Sequence, residues 1–166
     1  MPLDATPGGA ESNSYETRQN ADLYLGSMLN FSKWSDGSLT NTQKESALVE
    51  ATMLLEKLSY RGSKASATQR LKLPRVGIRN EDGTDYESST EVPRVLREAC
   101  CELAYVLAQT PDATASSLAA FSRVELPGIK IEMKETEETT SEIPANIRRK
   151  IARFRSGFGA RRLVRA

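Results

Sequence analysis

Apolar residues recur at intervals of three and four in four parts of the chain, a spacing typical of helices with one buried face. In the clearest case, Thr42 and Glu45 have the spacing of a capping box and precede a stripe rich in leucine and alanine. Pro93 is well suited to the first turn of another helix, which should stop before Pro111. The predicted helices are 21–31 with Asn20 as N-cap, 43–58, 93–109 and 144–154.

The third of these helices has small residues on its apolar face, at Ala99, Cys100 and Ala104, which would let another helix approach closely. Cys100 and Cys101 are the only cysteines. Neighbouring residues on one helix point about 100° apart and are poorly placed to bridge each other. We therefore expect reduced thiols that serve as packing groups.

Strict alternation of apolar and charged residues on both sides of Pro127-Gly128 predicts a β-hairpin over 122–134. A single hairpin is only marginally stable in water, so it needs either the helices of its own chain or neighbouring copies. Glycines, serines and charges dominate residues 61–90, which predicts a long ordered loop. Residues 1–14 hold Leu3 as their one large apolar side chain besides Met1, and they are either an arm or disordered.

These elements predict a mainly α protein: a small helical bundle with one β-hairpin, a long ordered loop and extended N- and C-terminal arms. The predicted organisation is an N-terminal arm over 1–14, a single domain over 15–154 and a basic tail over 155–166. A length of 166 residues is that of one domain with arms.

The amino-acid composition and the distribution of charge limit the functions that this chain can have. The chain has no histidine, which removes imidazole acid–base chemistry, histidine-based triads and most metal sites, so we expect no enzyme activity, no cofactor and no metal. No run approaches the roughly 20 apolar residues of a membrane span. The formal net charge is +1, but residues 144–166 hold eight cations and no acid, while residues 1–143 hold fifteen cations and twenty-two acids. An acidic body therefore carries a basic tail.

A set of short motifs follows one order between Ala21 and Phe154. The motifs are Ala21-Asp22-Leu23-Tyr24-Leu25, Trp34, Gln43-Lys44, Ala47-Leu48, Ala51-Thr52, Tyr60-Arg61-Gly62, Gln69 to Arg75, Val92-Pro93 and Glu102-Leu103-Ala104. Together they resemble the head-tail adaptor proteins of tailed bacteriophages, some relatives of which are labelled DnaT-like single-stranded-DNA-binding proteins.

The resemblance implies a structural virion protein assembled in the host cytoplasm and located in the neck. Twelve copies would form a ring beneath the portal, extend the DNA channel and provide a docking surface for the tail, stopper or tail-completion protein. Double-stranded DNA would pass through the ring without sequence readout, and no membrane would be involved. The contacts within such a ring are heterologous, so the two sides of a subunit must differ and fit each other.

Two groups of residues are the candidate sites. The first is predicted to dock the ring onto the portal, because arginine forms bidentate contacts with carboxylates and phosphates and apolar residues can anchor between them. It comprises Arg155, Phe158, Arg161, Arg162, Leu163, Val164 and Arg165. The second is a candidate inter-subunit loop, comprising Arg61, Gly62, Gln69, Leu71, Leu73, Pro74 and Arg75.

Each group also has a simpler interpretation: the tail as solvated chain, and Leu71, Leu73 and Pro74 as residues that pin a loop against the helices. The alternative function is nucleic-acid binding, with the basic tail on phosphates and a steep dependence on salt. Single-stranded DNA binding usually requires aromatic residues grouped for base stacking, and here Trp34 and the tyrosines are scattered along the sequence.

Overall fold

The computed structural model describes residues 2–78, 90–109 and 143–156. Within these ranges, the α-helices are α1 (Arg18–Gly26), α2 (Asn41–Glu56), α3 (Arg94–Gln109) and α4 (Ala145–Lys150). Two 3₁₀ helices span Leu29–Trp34 and Ala152–Phe154, and two short strands are β1 (Ser63–Lys64) and β2 (Arg75–Val76). The mainly α class with one antiparallel strand pair is confirmed. The predicted hairpin over 122–134 lies outside the described residues, and the observed pair lies within the predicted loop.

The core is built around the pair α2 and α3. Small residues of both helices are buried at their centres, including Ala51 of α2 and Ala99 and Ala104 of α3, which permits a close approach of the two backbones. The Cys100 thiol lies 3.4 Å from the Thr52 hydroxyl. Both cysteines are free and buried, as predicted, and burial raises the pKa of Cys100 to about 12. They are packing groups.

The first two helices begin earlier than the hydrophobic pattern predicts. The N-cap of α1 is Thr17, whose hydroxyl accepts from the backbone N–H of Asn20 at 3.2 Å, so the expectation that Asn20 is the cap is wrong. The helix ends at Gly26, and a 3₁₀ helix follows it. Both Thr17 and Thr40 have the extended backbone of a cap residue, which sequence spacing does not show.

The capping box of α2 is also displaced, because it is formed by Thr40 and Gln43. The N–H of Gln43 donates to Thr40 Oγ1 at 3.3 Å, and the N–H of Thr40 donates to Gln43 Oε1 at 2.9 Å. The predicted box of Thr42 and Glu45 is therefore wrong: glutamine serves as well as glutamate at this position. Glu45 instead pairs with Arg18 of α1 at 3.3 Å.

The last two helices lie where the sequence predicts them. The helix expected over 93–109 is α3. The segment expected to be helical over 144–154 is α4 followed by the second 3₁₀ helix. Ile147, Ile151 and Phe154 of this segment are buried, which adds it to the core formed by α2 and α3.

The N-terminal segment has no helix or strand but folds against the body. The N–H groups of Asn13 and Ser14 both donate to Asp4 O, at 2.8 and 3.0 Å. Residues 12–16 are buried, and the N–H of Tyr15 donates to Thr52 Oγ1 of α2 at 3.1 Å. The segment is therefore an arm that packs against the helical body of the same chain.

Candidate functional site

The loop after α2 is organised around one buried glutamine. The side-chain oxygen of Gln69 accepts from the N–H of Ser66 at 2.9 Å, and its amide nitrogen donates to Leu71 O and Pro74 O at 2.8 and 3.0 Å. Leu73 and Pro74, joined by a cis peptide bond, are buried beside it. An amide that satisfies three backbone groups fixes the path of the loop without regular secondary structure.

The two strands at the base of this loop pair Ser63 with Val76 and Lys64 with Arg75. Their close approach depends on Gly62, which has φ +72°, and a Cβ at that position would overlap the carbonyl oxygen of Val76. The Arg75 guanidinium crosses the base: Nε donates to Arg61 O at 2.6 Å and Nη2 donates to Gly62 O. Glycine is therefore required for this geometry.

Lys72 and Glu56 fasten the loop to the end of α2. The N–H of Lys72 donates to Glu56 Oε1 and Oε2 at 2.9 and 3.1 Å, and its Nζ donates to Leu58 O at 2.9 Å and to Glu56 O. A lysine that donates to the last carbonyls of a helix caps its C-terminus. Glu56 Oε1 also accepts from the hydroxyl of Tyr15. Burial and the neighbouring Glu56 raise the pKa of Tyr15 well above its ordinary value.

The C-terminal segment joins the same loop by backbone hydrogen bonds. The N–H of Arg61 donates to Phe154 O at 2.9 Å, and the N–H of Ser156 donates to Ser59 O at 2.9 Å. Between them, Tyr60 and Arg155 form an isolated antiparallel bridge. The basic tail thus continues from a point held against the loop.

This junction brings together two segments without acids. Residues 57–78 contain six cations and residues 143–156 contain five, with no acid in either, whereas the other described residues contain eleven acids and five cations. Lys64 and Arg75 lie directly opposite each other in the strand pair, and like charges in that arrangement are destabilising. Within the described ranges, Lys64, Arg70 and Arg75 form no ion pair with a carboxylate.

A sequence model described as "Putative DnaT-like ssDNA binding protein" matches residues 1–166. The chain belongs to this family. No curated protein and no solved structure matches this DnaT-like chain.

The residues predicted to form the inter-subunit loop of this DnaT-like protein differ from one another in burial. Gln69, Leu73 and Pro74 are buried within the chain, where they shape the loop. Leu71 and Arg75 are half-buried, and Arg61 and Gly62 are exposed. The prediction of an inter-subunit contact therefore now rests on the exposed and half-buried members of the group.

Of the predicted portal-docking residues, only Arg155 lies within the described ranges, where it is half-buried at the junction with the loop. Phe158, Arg161, Arg162, Leu163, Val164 and Arg165 lie outside them. Sequence reasoning treated the loop and the tail as separate sites and did not select Lys64 and Arg70. The signal that would have selected them is the absence of any acid between Lys57 and Ile78.

The aromatic residues that the structure describes serve packing. Phe31 and Tyr105 meet edge to face with centroids 4.8 Å apart. Within the described ranges, none of the aromatic side chains is fully exposed. The buried ones are Tyr15, Trp34, Tyr60 and Phe154. The described surface therefore has no exposed aromatic platform for bases.

A second polar cluster holds α4 against α1 and α3. Lys150 Nζ lies 2.7 Å from Glu102 Oε1 and 3.0 Å from Glu98 Oε2, and it donates to the Tyr24 hydroxyl at 3.1 Å. Partial burial raises the pKa of Glu98, but hydrogen bonds from Lys150 and Arg94 outweigh it and hold that pKa below its ordinary value. These contacts of Lys150, which we call the clasp, hold α4 against α1 and α3. A cleft of about 400 Å³ lies beside them.

The described residues lack both a metal-binding cluster and a membrane-spanning helix. In the part of the chain that the structure describes, no group of three or more acids or cysteines is arranged to hold a metal ion. The helices of that part are too short or too polar to cross a bilayer.

Proposed function

We propose that this DnaT-like chain is a head-tail adaptor of a tailed bacteriophage. Its copies form a ring, expected to be a dodecamer, beneath the portal, extend the DNA channel and present the docking surface for the tail or stopper protein. The motif order from Ala21 to Phe154 supports this function. The observation that carries it is the attachment of Arg155 and Ser156 to the loop, because it gives the basic tail a fixed origin on the subunit surface.

A fixed origin makes the tail an effective docking arm. The ten residues after Ser156 have a maximum reach of roughly 35 Å, which is enough to leave the subunit and contact another protein. Arg161, Arg162 and Arg165 supply forked donors for carboxylates, and Leu163 and Val164 supply apolar contacts. Because the origin is held in place, less orientational entropy is lost when the arm binds.

The test is capture of the adaptor by purified portal protein from the same genome, read by co-sedimentation and by negative-stain images. Deletion of residues 157–166 should abolish or strongly reduce capture. The control replaces the same ten residues with a glycine-serine sequence of equal length, which keeps the chain length but removes the charges and the apolar anchors. Undiminished capture of both variants would reject the docking role, and absence of rings with the intact chain would reject the adaptor.

A second candidate is single-stranded-DNA binding, which is favoured by the family description and by the backbone junction between the loop and the acid-free segment that precedes the basic tail. Neutralising phosphates would release counterions, so binding would weaken steeply as salt rises. The buried aromatics weigh against base stacking. A salt-titrated shift assay with single-stranded oligonucleotides separates the two functions, because the adaptor requires no retention of DNA.

A further inference from the structure

Four cations of the loop and Arg155 of the C-terminal segment are linked in series by strand pairing and by hydrogen bonds to backbone carbonyls. Lys64 Nζ donates to the backbone carbonyls of Gln69 and Arg70, at 3.0 and 3.5 Å, which places it beside Arg70. Lys64 lies opposite Arg75 in the strand pair. The series then continues from Arg75 to Arg61 O at 2.6 Å, and from Arg61 Nε to Arg155 O at 3.1 Å. The last residue in the series is the one at which the basic tail begins.

These cations are held in place before any partner binds. Lys64, Arg70 and Arg75 donate hydrogen bonds to backbone carbonyls, which orient the side chains without neutralising their charges. The backbone that carries them is itself fixed by the buried amide of Gln69. Lys64 and Arg75 are opposed in the strand pair, and a negatively charged partner would reduce the repulsion expected between like charges in that arrangement.

We propose that this loop surface docks on acidic side chains of the portal protein. The inference rests on the proposed adaptor function. It changes the assignment of the loop, which sequence reasoning gave to contacts between subunits. Two observations favour a protein partner over nucleic acid: the series ends at Arg155, the first residue of the predicted docking arm, and the described aromatics next to Arg61 and Arg155 in the chain, Tyr60 and Phe154, are buried and unable to stack on bases.

The test uses Arg70→Glu as the single variant and Lys64→Glu/Arg70→Glu as the double variant. Arg70 is exposed, and its side chain donates a 3.4 Å hydrogen bond to Glu11 O on the surface, so the substitution leaves the core intact. The matched control is Lys33→Glu, which reverses one exposed charge in the 3₁₀ helix near the N-terminal end of α2. The loop follows the C-terminal end of α2, and α2 is about 24 Å long. Lys33 and the loop therefore lie at opposite ends of α2.

The assay titrates portal protein against each variant at several salt concentrations, with thermal melting to confirm folding. Arg70→Glu should weaken capture by about tenfold at low salt and make the dependence of capture on salt shallower. The double variant should show a larger loss of capture and a still shallower dependence. Lys33→Glu should be captured as well as the original chain. Arg70→Lys should restore most of the capture, because it keeps the charge.

Three results would overturn the inference. If both loop variants are captured as well as the original chain while tail deletion abolishes capture, the loop takes no part, although the adaptor function stands. If the loop variants lose retention of a single-stranded oligonucleotide but keep portal capture, the surface is a nucleic-acid site. If portal does not capture the unaltered chain at all, the adaptor function fails as well.

Discussion

Gly62 is the residue on which the loop geometry depends most directly, and replacing it with alanine should destabilise the protein. Its φ of +72° lies in the left-handed region, which costs an alanine about 1–2 kcal/mol. The added Cβ also meets the Val76 carbonyl, which is backbone and cannot rotate away. The strand pair must therefore separate, with the loss of one or two hydrogen bonds worth about 1 kcal/mol each.

These contributions suggest a loss of about 3 kcal/mol from the free energy of unfolding, a large fraction of the roughly 5–15 kcal/mol typical of a domain. The corresponding fall in melting temperature is about 6–12 °C. Urea denaturation followed by circular dichroism measures the first quantity, and calorimetry measures the second. Portal capture by Gly62→Ala should also weaken, because Lys64 and Arg75 lose their fixed positions.

Gly37→Ala is the matched control. Gly37 has φ +86°, but a Cβ there would meet no atom within 4 Å, so only the conformational cost of about 1–2 kcal/mol applies. The difference between the two variants isolates the clash with Val76. If Gly62→Ala destabilises the protein no more than Gly37→Ala, the argument that the loop requires close backbone approach is refuted.

Three further predictions concern other parts of the molecule. Thr40→Ala should lower the free energy of unfolding by about 1 kcal/mol, whereas Thr42→Ala should change it little; equal losses in urea titrations would contradict the observed cap. Gln69→Met should cost about 2–4 kcal/mol, because three backbone groups lose their partner; a melting temperature close to that of the original chain would show that the loop does not need the amide. Glu98 has a lowered pKa in the folded state, so its stabilisation is present above its unfolded pKa of about 4.3 and is lost as the pH falls through the folded pKa. Lys150→Met should therefore flatten the fall in stability below about pH 5, and an unchanged pH profile would mean that the clasp does not stabilise the fold.

Much of the helical framework was determined by the sequence alone. The apolar spacing of α3 and the small residues at Ala99 and Ala104 placed that helix and indicated close packing. The adjacency of Cys100 and Cys101 on one helix was enough to predict that they do not bridge each other, and both are free thiols. These features are local: periodicity and the geometry of one helix determine them, whatever lies elsewhere in the chain.

The helix caps, the strand pair and the basic surface were decided by tertiary structure. Several threonines near the helix starts have suitable spacing, and only the extended backbone at Thr17 and Thr40 selects the caps. The shape of the loop depends on Gln69, whose partners are set by the folded backbone. Arg61 and Arg155 are 94 residues apart in the chain, and hydrogen bonds that no sequence period encodes bring them together. The charges were therefore visible in the sequence, but their assembly into one surface required the fold.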